Sequence, residues 1–115
     1  MTIKEWLSKF VKFWENKDVD KVRSLFSENF EYWETPFKKL EIEEFDNEWS
    51  VINRQENLQI TTEVVCSEAQ THTVMWGLQY DSSGSTYNWK GLYLIKLDDN
   101  TGLCSYFYQV GERGE

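Results

Sequence analysis

The 115-residue sequence predicts one α+β domain, residues 1–115, in which three N-terminal helices cover one face of a mostly antiparallel sheet. Three observations predict it. Apolar residues recur at helical spacing in residues 2–16, 19–26 and 41–54. From residue 58 onward they alternate with a period of two in four successive runs. The joints between those runs are short and carry Asp, Ser, Asn and Gly, so consecutive strands should pair as antiparallel neighbours. A chain of this length has no room for a second domain. It buries roughly two-thirds of the surface its unfolded form exposes, enough for a core without metal or disulfide staples.

The first helix opens on Thr2 and Glu5, a capping box in which hydroxyl and carboxylate each satisfy a free backbone N–H. Ile3, Trp6, Leu7, Phe10, Val11 and Trp14 then form one wide apolar face. Asp18 suits the N-cap of a second helix, with Val19, Val22, Leu25 and Phe26 as its stripe and residues 27–29 as its end. Residues 30–34 are short and aromatic, as a strand should be, until Thr35 and Pro36 stop them. In the third helix Ile42, Phe45, Trp49 and Ile52 share a face, and Glu43, Glu44, Asp46 and Glu48 mostly turn away. The strands cover residues 58–67, 71–81, 86–97 and 103–110, and residues 111–115 should fray. Val65, Met75, Leu92 and Leu94 fall on the parity opposite the main stripes, so the second face of the sheet is not fully polar. Such a surface predicts a homodimer through the sheet face.

Charge and motifs exclude several classes. The net charge is −8, and the nearest approaches to a basic cluster, Lys9 with Lys12 and Lys38 with Lys39, sit among acids. Nucleic acid and anionic membrane surfaces are therefore excluded as partners. No run approaches the ~18 apolar residues of a membrane span, and the N-terminal stretch lacks the apolar centre of an export signal. With two scattered cysteines, the expectation is a cytoplasmic protein. Cys66 and Cys104 should lie on strands too far apart for a disulfide and read as small buried hydrophobes. His72, the only histidine, should be exposed at a strand start, which leaves no nucleophilic triad. CxxC, HxH and HExxH are all absent, so no metal site and no cofactor are expected. Asp98, Asp99 and Asn100 read as a hairpin turn.

Four stretches together resemble the nuclear transport factor 2-like (SnoaL-like) superfamily: residues 18–30, residues 32–37, the helix through Phe45 and Asp46 to Trp49, and residues 89–107. Their order and spacing cover nearly the whole chain. The resemblance implies a cone-shaped roll, a curved sheet covered on its concave face by the three helices, with a pocket between them. Many such proteins are dimers, and they include isomerases, cyclases, dehydratases, hydrolases and transport adaptors, so fold alone does not fix function. In the ketosteroid isomerase branch a catalytic carboxylate lies near the end of the first strand, before a proline. Glu34 corresponds approximately, with Glu in place of Asp and Thr35 intervening before Pro36. Some relatives carry a second carboxylate two residues after a Phe like Phe107; here that position is Gln109, which cannot act as a base.

These residues set the expected site. Six Trp, six Tyr and seven Phe exceed what a plain core needs, so part of the aromatic bulk should line a cavity. Trp49, Trp76, Trp89 and Phe107 are the expected walls, with Tyr80 or Gln109 orienting a small, partly apolar ligand. Glu34, among aromatic neighbours that could raise its pKa, is the candidate general base, and Tyr32 shares its parity as a hydrogen-bond donor. The leading expectation is a small-molecule binder. The alternatives are a cofactor-free isomerase, dehydratase or hydrolase using Glu34, and a dimeric interaction module.

Overall fold

A computed structural model describes residues 1–114; Glu115, part of the segment expected to fray, lies outside the described residues. Helix α1 spans Ile3–Glu15 and starts with the expected box: the Thr2 hydroxyl accepts from the Glu5 N–H at 3.1 Å, and the Glu5 carboxylate accepts from the Thr2 N–H at 3.3 Å. It buries Ile3, Trp6, Leu7, Phe10 and Trp14.

Helix α2 is only Val19–Arg23, because tertiary bonds claim the next turn. The Leu25 carbonyl accepts from the Trp6 indole N–H (2.9 Å) and the Cys104 N–H (2.8 Å), and Arg23 donates to the Phe26 and Ser27 carbonyls. Leu25 is thereby committed to the sheet edge, and strand β1 (Phe26–Thr35) begins four residues earlier than the sequence suggests. Strand β2 (Lys38–Leu40) returns from a turn at Pro36 and Phe37 and was not expected. The expected helix over 41–54 is broken into a 3₁₀ turn (Ile42–Glu44), helix α3 (Phe45–Trp49) and a second 3₁₀ turn (Ser50–Arg54). Phe45, Trp49 and Ile52 are buried as the period requires, but Ile42 stays exposed.

Strands β3 (Glu56–Glu68), β4 (Thr71–Ser82), β5 (Ser85–Leu97) and β6 (Cys104–Arg113) form an antiparallel meander. β6 runs past the expected end because residues 109–113 stay paired to β5. The sheet order is β2-β1-β6-β5-β4-β3, and β1–β6 is its one parallel pair among the described residues.

The expected cone-shaped roll is not what forms. The sheet is open and not strongly curled, with β2 and β3 as unpaired edges. Closure would require those edges to meet, and β2 offers only three residues. The helices instead pack on one face. Phe10 contacts Tyr93 and Phe107, and Trp6 contacts Phe26 and Phe107. Paired positions Tyr32–Phe107, Phe107–Ile95 and Tyr93–Val74 carry that core face across the strands.

Two single-residue expectations are also corrected. His72 is only 5% exposed; its Nδ1 lies 2.6 Å from the Ser67 hydroxyl, and it pairs with Ile95 on the core face. Cys66 is exposed, because a register shift after Val64 turns it to pair with Thr73 on the outer face, whereas Cys104 is buried. Both thiols are free.

Candidate functional site

The carboxyl end of β1, the neighbouring stretch of β6 and the α3 segment border a half-open cavity of about 140 Å³. Its apolar walls come from Trp14, Tyr32, Leu40, Trp49 and Ile52, and its polar groups from Glu34, Glu48, Gln55 and Gln109. Alternation along β1 turns Tyr32 and Glu34 to the same face. The backbone turn at Ser50–Arg54 ends with the Gln55 N–H donating to the Ile52 carbonyl, which fixes the start of β3 under the cavity.

The aromatic wall is mutually braced. Trp14 and Trp49 meet edge to face with centroids 5.1 Å apart, and Phe10 contacts both. Tyr32 stacks on Phe107 at 4.8 Å. Burial pushes the Tyr32 hydroxyl well above its ordinary pKa, and the neighbouring Tyr93 hydroxyl adds to the rise. Gln55 is 5% exposed, and its Oε1 accepts from the Trp14 indole N–H at 2.8 Å.

The polar mouth is an acid pair with one cation. Glu34, its side chain 22% exposed, forms a 3.0 Å ion pair with Lys38. Its backbone carbonyl accepts from Gln109 Nε2 at 3.0 Å. Hydrogen bonding to Glu34 and the charge of that carboxylate raise the pKa of Glu48. The same hydrogen bond to Glu34 raises that of Lys38. Two carboxyls and one ammonium thus share the entrance, and Glu48 is the one biased toward holding a proton.

Glu34 and Gln109 also border a second, larger cavity of about 480 Å³. Trp76, Trp89, Val110 and Gly111 line it. The Trp76 indole lies over the backbone of Gly91 and Gly111 and stacks on Tyr93 at 5.3 Å; its buried N–H has no partner among the described residues.

Of the expected site residues, Glu34, Tyr32, Trp49 and Gln109 meet in the inner cavity, and Trp76 and Trp89 line the outer one with Glu34 and Gln109. Phe107 is fully buried behind Tyr32, and Tyr80 stacks on Tyr87 away from both cavities. Sequence reasoning missed Trp14, Glu48 and Gln55. Trp14 was legible only as core. Glu48 was read as facing solvent because a continuous helix over 41–54 would turn it there. Gln55 carried no signal, since its neighbours Arg54 and Glu56 are polar too. Among the described residues no group of His, Cys, Asp and Glu is placed to hold a metal ion, and no helix is long and apolar enough to cross a membrane.

This arrangement of helices on one face of a mixed sheet, with a cavity at the β1–β6 junction, is the nuclear transport factor 2-like fold, as the motif order implied. No protein-family model matches the chain, and no curated protein matches it in sequence. Solved structures do. An NTF2-like protein of unknown function from Exiguobacterium sp. 255-15 superposes with a TM-score of 0.75 at 16% identity, over 93% of this chain and 98% of the other. A proposed scytalone dehydratase from Novosphingobium aromaticivorans gives 0.83 at 9% identity, over 98% and 85%. A proposed isomerase from Bacillus subtilis gives 0.80 at 18% identity, over 95% and 85%. At these identities the likeness establishes the fold alone.

Proposed function

We propose that the protein binds a small, partly apolar molecule in the inner cavity. The observation that carries this reading is a space of about 140 Å³ walled by Trp14, Tyr32 and Trp49, with polar groups confined to a few positions. An apolar cavity of about 150 Å³ accommodates a benzene ring, which sets the scale of the ligand. Tryptophan emission and 15N-detected indole resonances of Trp14 and Trp49 test it. A set of six-membered-ring compounds at millimolar concentration should shift both, and a set that moves neither while the protein remains folded would refute the reading.

A second reading is favoured by one further observation, the proton-biased Glu48 beside Glu34. A carboxyl and a carboxylate in one cleft can act as acid and base, so Glu34 would abstract a proton that Glu48 helps return. The similar structures described as a dehydratase and an isomerase support a cofactor-free reaction of that kind. Glu34→Gln should then abolish turnover while leaving ligand binding in place; unchanged turnover would discard the base assignment.

The exposed Val65, Met75 and Leu92, on the face away from the helices, support a homodimer through the outer sheet. Sedimentation showing only monomer at high concentration would reject it.

A further inference from the structure

Within the inner cavity, the two most deeply buried polar side chains are Gln55 and Tyr32, 5% and 4% exposed. The Trp14 indole N–H donates to Gln55 Oε1 at 2.8 Å. Each offers a hydrogen-bond donor to the cavity, the Gln55 NH₂ and the Tyr32 O–H. Neither has a protein acceptor among the described residues, and both residues line the cavity. The Trp14 contact also fixes the Gln55 amide orientation, because an indole N–H can only meet the oxygen end. A buried polar group left unmatched is costly, so the unmatched donors of Gln55 and Tyr32 favour a ligand that supplies an acceptor. The charge at the mouth narrows the choice. Glu34 and Glu48 flank the entrance with Lys38 as their one cation, which disfavours an anionic acceptor such as a carboxylate.

We infer that Gln55 and Tyr32 are the specificity-determining residues of the inner cavity, and that they select a neutral, ring-sized ligand carrying a hydrogen-bond-accepting oxygen. This rests on the proposed binding site and adds the polarity of its occupant. An aliphatic alcohol, a carbonyl compound or a cyclic ether has the required chemistry; a hydrocarbon leaves the donors unmatched. An ammonium ion brings more donors to a site that has them in excess, and it gains only at the mouth.

Three six-membered rings of nearly equal size separate these cases: tetrahydropyran, cyclohexane and protonated piperidine. Their dissociation constants are measured by NMR titration, following the Gln55 side-chain NH₂ and the Trp14 and Trp49 indole signals. Tetrahydropyran should bind about tenfold more tightly than cyclohexane, the effect of one net hydrogen bond, and should shift the Gln55 NH₂ signals. Gln55→Met should reduce that preference to within about twofold. Because Gln55→Met also removes the acceptor of Trp14, Tyr32→Phe serves as the second variant, deleting one hydroxyl; it should lower the preference while cyclohexane affinity holds. Equal binding of tetrahydropyran and cyclohexane, tighter binding of piperidinium, or an unchanged preference in both folded variants would overturn the inference while leaving the site in place. Failure of all three rings to bind would instead overturn the proposed function.

Discussion

Gly91 is the position where the sheet tolerates no side chain, and Gly91→Ala tests the packing that frames the site. A Cβ there would lie 1.9 Å from the Val110 carbonyl oxygen, 2.8 Å from the Gly111 Cα and 2.8 Å from the Trp76 ring. Comfortable contact begins at about 3.5 Å, so β5 and β6 would have to part by more than about 1 Å. Two of the three obstacles are backbone, which cannot rotate aside. Overpacking costs about 1–3 kcal/mol, and a clash against paired backbone belongs at the upper end or above. For a domain of this length each kcal/mol lowers Tm by about 4 °C, giving a drop of about 10 °C or more. Differential scanning calorimetry reads it directly. Gly77→Ala is the control: its Cβ meets only the Thr61 hydroxyl at 2.8 Å, a side chain that can turn away, so its melting point should stay within about 3 °C of wild type. Gly111→Ala presses on the Trp76 ring at 2.6 Å and should fall between the two, with a shift in tryptophan emission. If Gly91→Ala melts within 2 °C of wild type, or Gly77→Ala is the worse variant, the close approach of β5 and β6 at Gly91 is wrong.

Other outcomes follow from the same geometry. Phe10→Ala removes a ring that contacts Trp6, Trp14, Trp49, Tyr93 and Phe107, and should cost about 3–5 kcal/mol by urea denaturation, with loss of cavity binding. A cost under about 1 kcal/mol would contradict the assigned core. Burial lowers the His72 pKa, so above its ordinary value of 6.5 both folded and unfolded states hold it neutral and it contributes no pH dependence. Below that value the unfolded chain takes the proton more readily, so stability should fall with decreasing pH until the folded-state pKa is passed; His72→Gln should flatten the denaturation midpoint between pH 7.5 and 5.5. Glu34→Gln removes the carboxylate that raises Glu48, and carbon-detected NMR should show Glu48 titrating at a lower pH than in wild type. An unchanged Glu48 would mean that the two carboxyls do not meet.

The sequence by itself determined which residues are apolar and with what period, and from this come the long β3–β6 meander and the buried faces of α1 and α3. Those signals are local: Thr2 with Glu5 makes the cap, and Val74, Trp76, Tyr93 and Ile95 alternate because a pleat has period two. Glu34, Tyr32, Trp49 and Gln109 were legible as site candidates from the motif order. Tertiary structure alone decided the rest. The end of α2 depends on two donors, Trp6 and Cys104, that both bond the Leu25 carbonyl, and they lie 19 and 79 residues away in sequence. The broken 41–54 segment swings Glu48 onto Glu34, and a register shift in β3 sends Cys66 outward. The open sheet in place of a closed cone reflects edges β2 and β3 that never meet. Gln55 acquires its part only when the Trp14 indole reaches it across 41 residues of chain. Periodicity reports on neighbours three or four positions apart, whereas a cavity is built from residues that folding alone brings together.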